Sequence, residues 1–395
     1  MMKRREFLVS SLATPVILKQ MFAAENHSSV NYQPATETTF EFLEVKGSYY
    51  SIGYQTGKQF GSHIKKLIER RADWHRNLMV KLGSQAGQKR SAEYVQLTKK
   101  HFPHILEEIR GLADGSGLHF NAVWAMCIKS ELESLDDEPT GCSTIFHKDR
   151  KQMWLFHNED GHAAYSDIMF VLKVIPPSGV NYLSLVYPGI ITGNGPSMNS
   201  CGIIQATNYI GSTESEIGLP RYVIGRAVLE AKTLDEAVDI VTMEPRAYPY
   251  HHNIGHLGEK KYYSLETTPF VFQAEEPQST YFHTNHLLFD KTGVYKAEDE
   301  QYKQTSSLSR YKVIKQELTA ISSGTQAPAD YLKILSSHFQ APYSPCRHPL
   351  DDVKGATLGT AFFDFNQNTM RLFRGNPCEA TAYSRFVDFK LDTLG

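Results

Sequence analysis

The hydrophobic pattern changes its period once, and that change limits what this chain can fold into. From about Tyr54 to Leu135, apolar residues recur at helical spacing through GKQFGSHIKKLIERRADWHRNLMVKL, SAEYVQLTKKHFPHILEEIRGLADGSGL and NAVWAMCIKSELESL, with glycine-rich breaks between them. After a polar, extended junction at Asp136 to Pro139, the spacing becomes that of strands: MWLFHNE, DIMFVLKVI, VNYLSLVYP, GIIQATNYI, KYYSLETTP, FVFQA, TYFHTN, TLGTAFFDF and TMRLFRG. Helical stretches return only at RYVIGRAVLEAKTLDEAVDIV, SLSRYKVIKQEL and PADYLKILSSHF. Short strands with separate helices predict an α+β fold in which helices cover antiparallel sheets. An α-rich segment precedes it.

With 395 residues, 41% of them hydrophobic and 21% charged, the chain can bury a large core in one large domain or two intimate ones. A formal net charge of -2 supplies no long-range field for nucleic acid or an anionic membrane. Lys65, Lys66, Arg70 and Arg71 alternate with Ile64, Leu67 and Ile68, so they are expected on the solvated face of a helix. The first 24 residues read as a leader: Lys3, Arg4 and Arg5, then an apolar run from Phe7 to Leu18 too short to span a bilayer, then Ala23 and Ala24. Arg4-Arg5-Glu6-Phe7-Leu8 resembles a twin-arginine export signal, which predicts a periplasmic or otherwise exported protein with no stable membrane insertion after cleavage.

Five cysteines, Cys127, Cys142, Cys201, Cys346 and Cys378, leave at least one thiol free. There is no CxxC and no Cys/His spacing of the common zinc type, and His251, His252 and His256 fall in a stretch that reads as strand and turn, so neither a metal nor another cofactor is expected. Cys142 lies in PTGCSTIF, just before MWLFHNEDG. Taken alone it is a small buried hydrophobe. A papain-like nucleophile would sit at a helix N-terminus rather than before a strand, and a noncatalytic binding protein would tolerate loss of the thiol. Cys201, followed by Gly202 and two isoleucines, is expected to be buried.

Gly141-Cys142-Ser143-Thr144, Asn158-Glu159-Asp160, SMNSCGIIQATNY, HTNHL and SLSRY, in that order, resemble the N-terminal nucleophile hydrolases. More closely they are similar to the penicillin acyltransferase-like family of autoproteolytic amide hydrolases and acyltransferases. GSYYSIGYQTGKQFG, EEIRGLADGSGL and TLGTAFFDFNQNTMRLFRGNPCE extend the resemblance over nearly all of the chain after the leader.

The resemblance implies a four-layer αββα fold. It also implies self-cleavage between Gly141 and Cys142 into an α-rich chain, 25–141, and a catalytic chain, 142–395, that remain associated. Cys142 would then be both nucleophile and new N-terminus, its α-amine (reference pKa about 7.7 to 8.0) acting as base. Asp160 would orient that amine, Asn208 and Asn285 would serve the oxyanion and the amine, and Arg310 would steady the Cys and Asp. His157, Asn158 and Tyr209 are candidate substrate contacts. His157 and Glu159 stand where relatives often carry Arg or Gln and an aromatic residue. The expected substrate is a small N-acyl amide, hydrolysed or used as an acyl donor to an amine. Tyr187, Tyr209, Tyr250 and Phe282 either line an acyl pocket or belong to the ordinary core. Oligomeric state stays open.

Overall fold

Two sheets stack face to face with helices on both outer sides. The computed structural model describes residues 39–132, 141–212, 215–289, 301–321, 326–379 and 386–395. The expected leader at 1–24 and the junction at Asp136 to Pro139 lie outside these residues. The first sheet runs β1 (Glu41–Lys46), β4 (Phe170–Ile175), β5 (Tyr182–Val186), β6 (Ser197–Asn199), β7 (Ile203–Tyr209), β8 (Tyr250–His256), β9 (Lys261–Thr267), β10 (Phe272–Glu275). The second runs β11 (Tyr281–His283), β2 (Ser143–Lys148), β3 (Met153–His162), β12 (Gly355–Asp364), β13 (Thr369–Arg374), β14 (Phe386–Lys390).

Alternation along each strand explains the stacking, because successive side chains point to opposite faces. Phe146, Leu155 and Phe363 of the second sheet share the central core with Leu183, Leu185 and Ile204 of the first. Their neighbours Ile145, Trp154, Phe156 and Phe362 face outward, onto Ile314 of α9 (Gln301–Ala320) and Tyr331 and Leu335 of α10 (Pro328–Leu335). Outward residues Ile203, Ile254 and Leu265 of the first sheet meet α7 (Arg221–Val228) and α8 (Leu234–Thr242). Farther along, Phe170, Leu172 and Val174 receive Ile52 and Phe60 of α1 (Tyr49–Arg70). The layers are therefore αββα, as the resemblance implies.

The N-terminal segment is joined to these layers more closely than its helical pattern suggests. It begins with β1, EFLEVK, which pairs in parallel with β4 over six positions. Strand reading passes over it because charged Glu41, Glu44 and Lys46 interrupt the apolar residues, as suits an edge. Helix α1 then packs on α4 (Pro103–Ser116) through facing glycines: a Cβ on Gly53 would overlap the Glu108 carbonyl, and one on Gly111 the Tyr50 carbonyl. Overpacking such a contact costs typically about 1–3 kcal/mol. Arg226 of α7, fully buried, bridges Glu108 of α4 at 2.8 Å and Glu230 at 2.8 Å. The basic face of α1 is solvated as expected, with Lys65, Lys66 and Arg70 exposed and the last two pairing with Asp167 at the surface. Cys201 is half-buried in the turn between β6 and β7, short of the core burial expected of it.

Candidate active site

Cys142 immediately precedes β2, with 5% of its surface exposed. It shares the inward face of that strand with Thr144 and Phe146, and the antiparallel register places Ser143 opposite Asn158 and Thr144 opposite His157. His157 and Glu159 of β3 consequently point to the same side as the thiol. The thiol donates to Glu159 Oε1 at 3.7 Å, and Tyr187 donates its hydroxyl to the same oxygen at 2.6 Å. Glu159 Oε2 lies 3.2 Å from His157 Nε2, whose Nδ1 lies 2.8 Å from the Thr144 hydroxyl. Thr144 in turn donates to Asn208 Oδ1 at 3.0 Å. A continuous polar chain thus links the thiol to Asn208 through the space between the sheets.

Asn208, at the end of β7, has its Oδ1 bonded also by Asn253 at 2.8 Å and by His251 at 2.9 Å. Those contacts fix the amide and leave Nδ2 as a buried donor with no hydrogen-bond partner among the described residues. An unused buried donor is costly.

Arg310 enters from α9 with 1% exposure. Its Nη1 donates to the Cys142 carbonyl at 2.7 Å and the Ser143 hydroxyl at 3.0 Å, and its Nη2 to Asn285 Oδ1 at 2.7 Å. Asn285 Nδ2 donates to the Tyr209 carbonyl at 2.7 Å. Gly141 fits against this pair only because it lacks a Cβ, which would overlap Asn285 Oδ1 and lie 2.8 Å from Arg310 Nη2. Asp160 accepts from the Thr357 hydroxyl at 2.7 Å through Oδ1, while Oδ2 is buried without a hydrogen-bond partner among the described residues.

Electrostatics follow from this burial. Loss of water, then the Glu159 and Asp160 carboxylates, raise the Cys142 thiol well above its ordinary range, outweighing the Asp160 N–H and Arg310. Burial also raises Asp160 to about 7 against the pull of Arg310 and Arg347, and lowers Arg310 to about 10 despite Asp160. Cys142 is therefore a neutral thiol in this structure.

A cavity of about 50 Å³ lies beside the sulfur, room for only a few waters. Cys142, Glu159, Asp160, Tyr187, Tyr209 and Tyr250 are among the residues lining it. The Arg221 guanidinium also lines it, centred 4.6 Å over the Tyr250 ring and 4.3 Å over Tyr222. Of the four aromatics flagged in the sequence, three line the cavity. Phe282 instead packs on Tyr311 at the outer face of the second sheet.

Asn158 also faces away from the thiol. Its Nδ2 holds the Leu335 and Pro345 carbonyls, each at 2.9 Å, and its Oδ1 takes the Thr360 hydroxyl at 2.6 Å, so it pins backbone and lines no part of the cavity. His157 stands behind Glu159 rather than at the cavity wall. Of the three residues expected to touch substrate, Tyr209 alone lines the space.

Strand parity could have placed Thr144 with Cys142 and Glu159 with His157. No local signal marks Arg221 or Arg347. The ligand atoms of Cys142, His157 and Glu159 lie within 4.8 Å of one another, as in a metal site. Tyr187, His157 and the thiol already occupy the carboxylate, so the group reads as a hydrogen-bonded relay.

Asp160 gives the protein a pH signature. The unfolded chain releases the proton near pH 3.8, whereas the folded chain keeps it up to about 7. The favourable contribution is whole below the lower value, shrinks as pH rises toward the upper one, and then levels off. In a Cys142→Ala background, thermal unfolding from pH 4 to 8 should show Asp160 chains losing stability relative to Asp160→Asn chains up to near pH 7. Parallel curves would show that Asp160 ionises normally.

A family model described as acyl-coenzyme A:6-aminopenicillanic acid acyl-transferase matches residues 146–379, more than half of the chain. The β-alanyl-dopamine/carcinine hydrolase of Drosophila melanogaster is 27% identical over 218 residues, which cover 50% of this chain and 56% of that protein. The chain thus spans little more than half the length of this curated relative. Among solved structures, a mutant of the conjugated bile acid hydrolase from Clostridium perfringens superposes with a TM-score of 0.42 at 12% identity, covering 64% of this chain and 93% of that one. Penicillin V acylase from Agrobacterium tumefaciens superposes at 0.39 and 14% identity, covering 59% and 82%. These superpositions are loose, and the assignment rests on the family model. Its match takes in Asp160, Asn208, Asn285 and Arg310, and by it the chain belongs to the acyl-coenzyme A:6-aminopenicillanic acid acyl-transferase family.

Proposed function

We propose that this protein is an exported, self-processing cysteine amidohydrolase that cleaves a linear N-acyl amide through a thioester on Cys142. The observation that carries the reading is the placement of Arg310, which binds the Cys142 carbonyl and Asn285 Oδ1 together, against Gly141, a glycine whose Cβ would collide with both side chains. In the uncut chain, Glu159 is placed to take the thiol proton as sulfur attacks the Gly141 carbonyl. The peptide C–N bond breaks, the nitrogen leaves as the Cys142 amine, and Gly141 is held as a thioester that water hydrolyses to a free carboxylate.

Release of Gly141, which lines the cavity and packs against Asn285, removes one wall of it and frees the Cys142 amine. That amine then takes the thiol proton for attack on substrate, with Asp160 and Arg310 setting its charge and orientation. Asn208, whose Nδ2 is unused, is the donor assigned to the oxyanion, and it lies behind the cavity wall while Gly141 is in place. Contacts across α1, α4 and β1 hold the two chains together after the cut. A chain entering through β1 alone would lose six ladder positions if it left.

The function is tested by following amine release from a panel of N-acyl amino acids, bile salt conjugates and penicillins by mass spectrometry. Wild-type protein should release amine from at least one class, and Cys142→Ala from none. Equal turnover by the alanine variant would remove Cys142 from the chemistry. Acyl transfer, the activity in the family's description, uses the same thioester. It would appear as a new amide when a second amine is added, at the expense of free acid.

Export rests on the Arg4-Arg5 pair. Replacing both by Lys should hold the protein in the cytoplasm of an expressing bacterium, because the twin-arginine receptor reads the pair. Unchanged export in cell fractions would reject that part of the reading.

A further inference from the structure

Away from the thiol, four side chains converge that neither the reaction nor the sequence pattern absorbs. His338, Cys346, His348 and Cys378 each present one ligand atom, and these atoms all lie within 4.8 Å of one another. Their spacing matches no common zinc motif because the fourth member arrives through the sheet. Cys346 and His348 precede β12, and Cys378 follows β13, its hairpin partner. The register sets Gly359 opposite Arg374, and continued four residues further it brings position 378 level with Gly355.

We propose that these four residues form a structural Cys2His2 site for one divalent cation, zinc by its donor set, which staples the loop before β12 to the turn after β13. Thiolate and imidazole together favour zinc among the common divalent ions, and zinc takes four such ligands tetrahedrally. Bond lengths of about 2.3 Å to sulfur and 2.0–2.1 Å to nitrogen put neighbouring S and N ligands about 3.6 Å apart at the tetrahedral angle. His348 Nε2 stands 3.2 Å from Cys378 Sγ and 3.8 Å from Cys346 Sγ, on either side of that value.

The surroundings are those of a built site. Asn376 Nδ2 donates to Cys346 Sγ at 3.4 Å, as expected of a group supporting a thiolate. The Cys346 N–H bonds the Ser337 carbonyl at 3.0 Å, and the Cys346 carbonyl accepts from the Ser344 hydroxyl at 2.6 Å. Asn158 holds the Pro345 carbonyl. A disulfide is the competing use of the two sulfurs. They are unbonded to each other here, and a disulfide would give no reason for two imidazoles to share the same point.

The site reaches the catalytic group through backbone. Arg347, between two ligands, donates its N–H to the Thr357 hydroxyl at 2.9 Å and accepts from the Thr357 N–H at 3.0 Å, and that hydroxyl donates to Asp160. Asn376 completes the link with a 2.5 Å bond to the Arg347 carbonyl. The cation would hold Thr357 and Arg347 in place beside Asp160, acting as a positioning device rather than a catalyst.

Tag-free, reduced protein in chelator-treated buffer should carry about one zinc per chain by elemental analysis, and the Cys142→Ala chain should carry as much. This makes the result independent of whether Cys142 is the nucleophile. Cobalt added to the zinc-free chain should give a thiolate-to-cobalt charge-transfer band and the intense visible bands of a tetrahedral site. Cys378→Ser should lose part of the charge-transfer band. The variant of one of the two exposed ligands, His338→Ala, should fold yet lose zinc to a competing chelator that wild type resists. Absence of stoichiometric zinc or cobalt binding by the reduced wild-type chain would overturn the proposal. So would cobalt bands lacking thiolate character, or a Cys346–Cys378 disulfide in peptide maps of metal-free protein recovered from its own compartment.

Discussion

The structure around the thiol depends on one buried guanidinium. Arg310, reaching in from α9, is removed from water and binds the Cys142 carbonyl, the Ser143 hydroxyl and the Asn285 side chain together. A charge in that position is tolerable only where hydrogen bonds replace its hydration, and Asp160 adds an opposite charge as it ionises near pH 7. Each of its partners is fixed by a different element: β2, the segment after β11, and β3. Losing any one would leave an uncompensated buried group, so the geometry at Gly141 is held from several layers at once.

This arrangement accounts for what does and does not touch the cavity. Strand β3 divides its two aspects between two jobs. Its inward residues His157 and Glu159 carry the polar relay to the thiol, while outward Asn158 anchors α10 and the loop that leads to Cys346. The same alternation that separates core from outer layers separates chemistry from support. The N-terminal helices contribute to the active centre indirectly, by closing the outer face of the first sheet and, through Arg71 and Lys129, the far wall of the cavity.

Much of this was legible in the sequence because it is local. Alternation in MWLFHNEDG and GIIQATNYI gives the strands, and the structure brings Arg310 to Cys142 and Asn285 by hydrogen bonds and Asp160 to the cavity wall beside Cys142. What was not legible is what depends on register. Asn158 cannot be told from a substrate contact until its partners Leu335 and Pro345, far along the chain, are in place. β1 hides behind its charges, and the convergence of His338, Cys346 and His348 on Cys378 exists only once β12 and β13 pair. Arg221 is an ordinary helix residue in sequence and becomes a cavity wall only when its tyrosines, on β7, β8 and its own helix, surround it.

The account stands on one bond. If Cys142 becomes an N-terminus, Edman sequencing of purified wild-type protein separated under denaturing conditions should read Cys-Ser-Thr-Ile from the larger of two chains, and the intact mass of the smaller should end at Gly141. An active protein that persists as a single chain through Gly141 and Cys142 would contradict it.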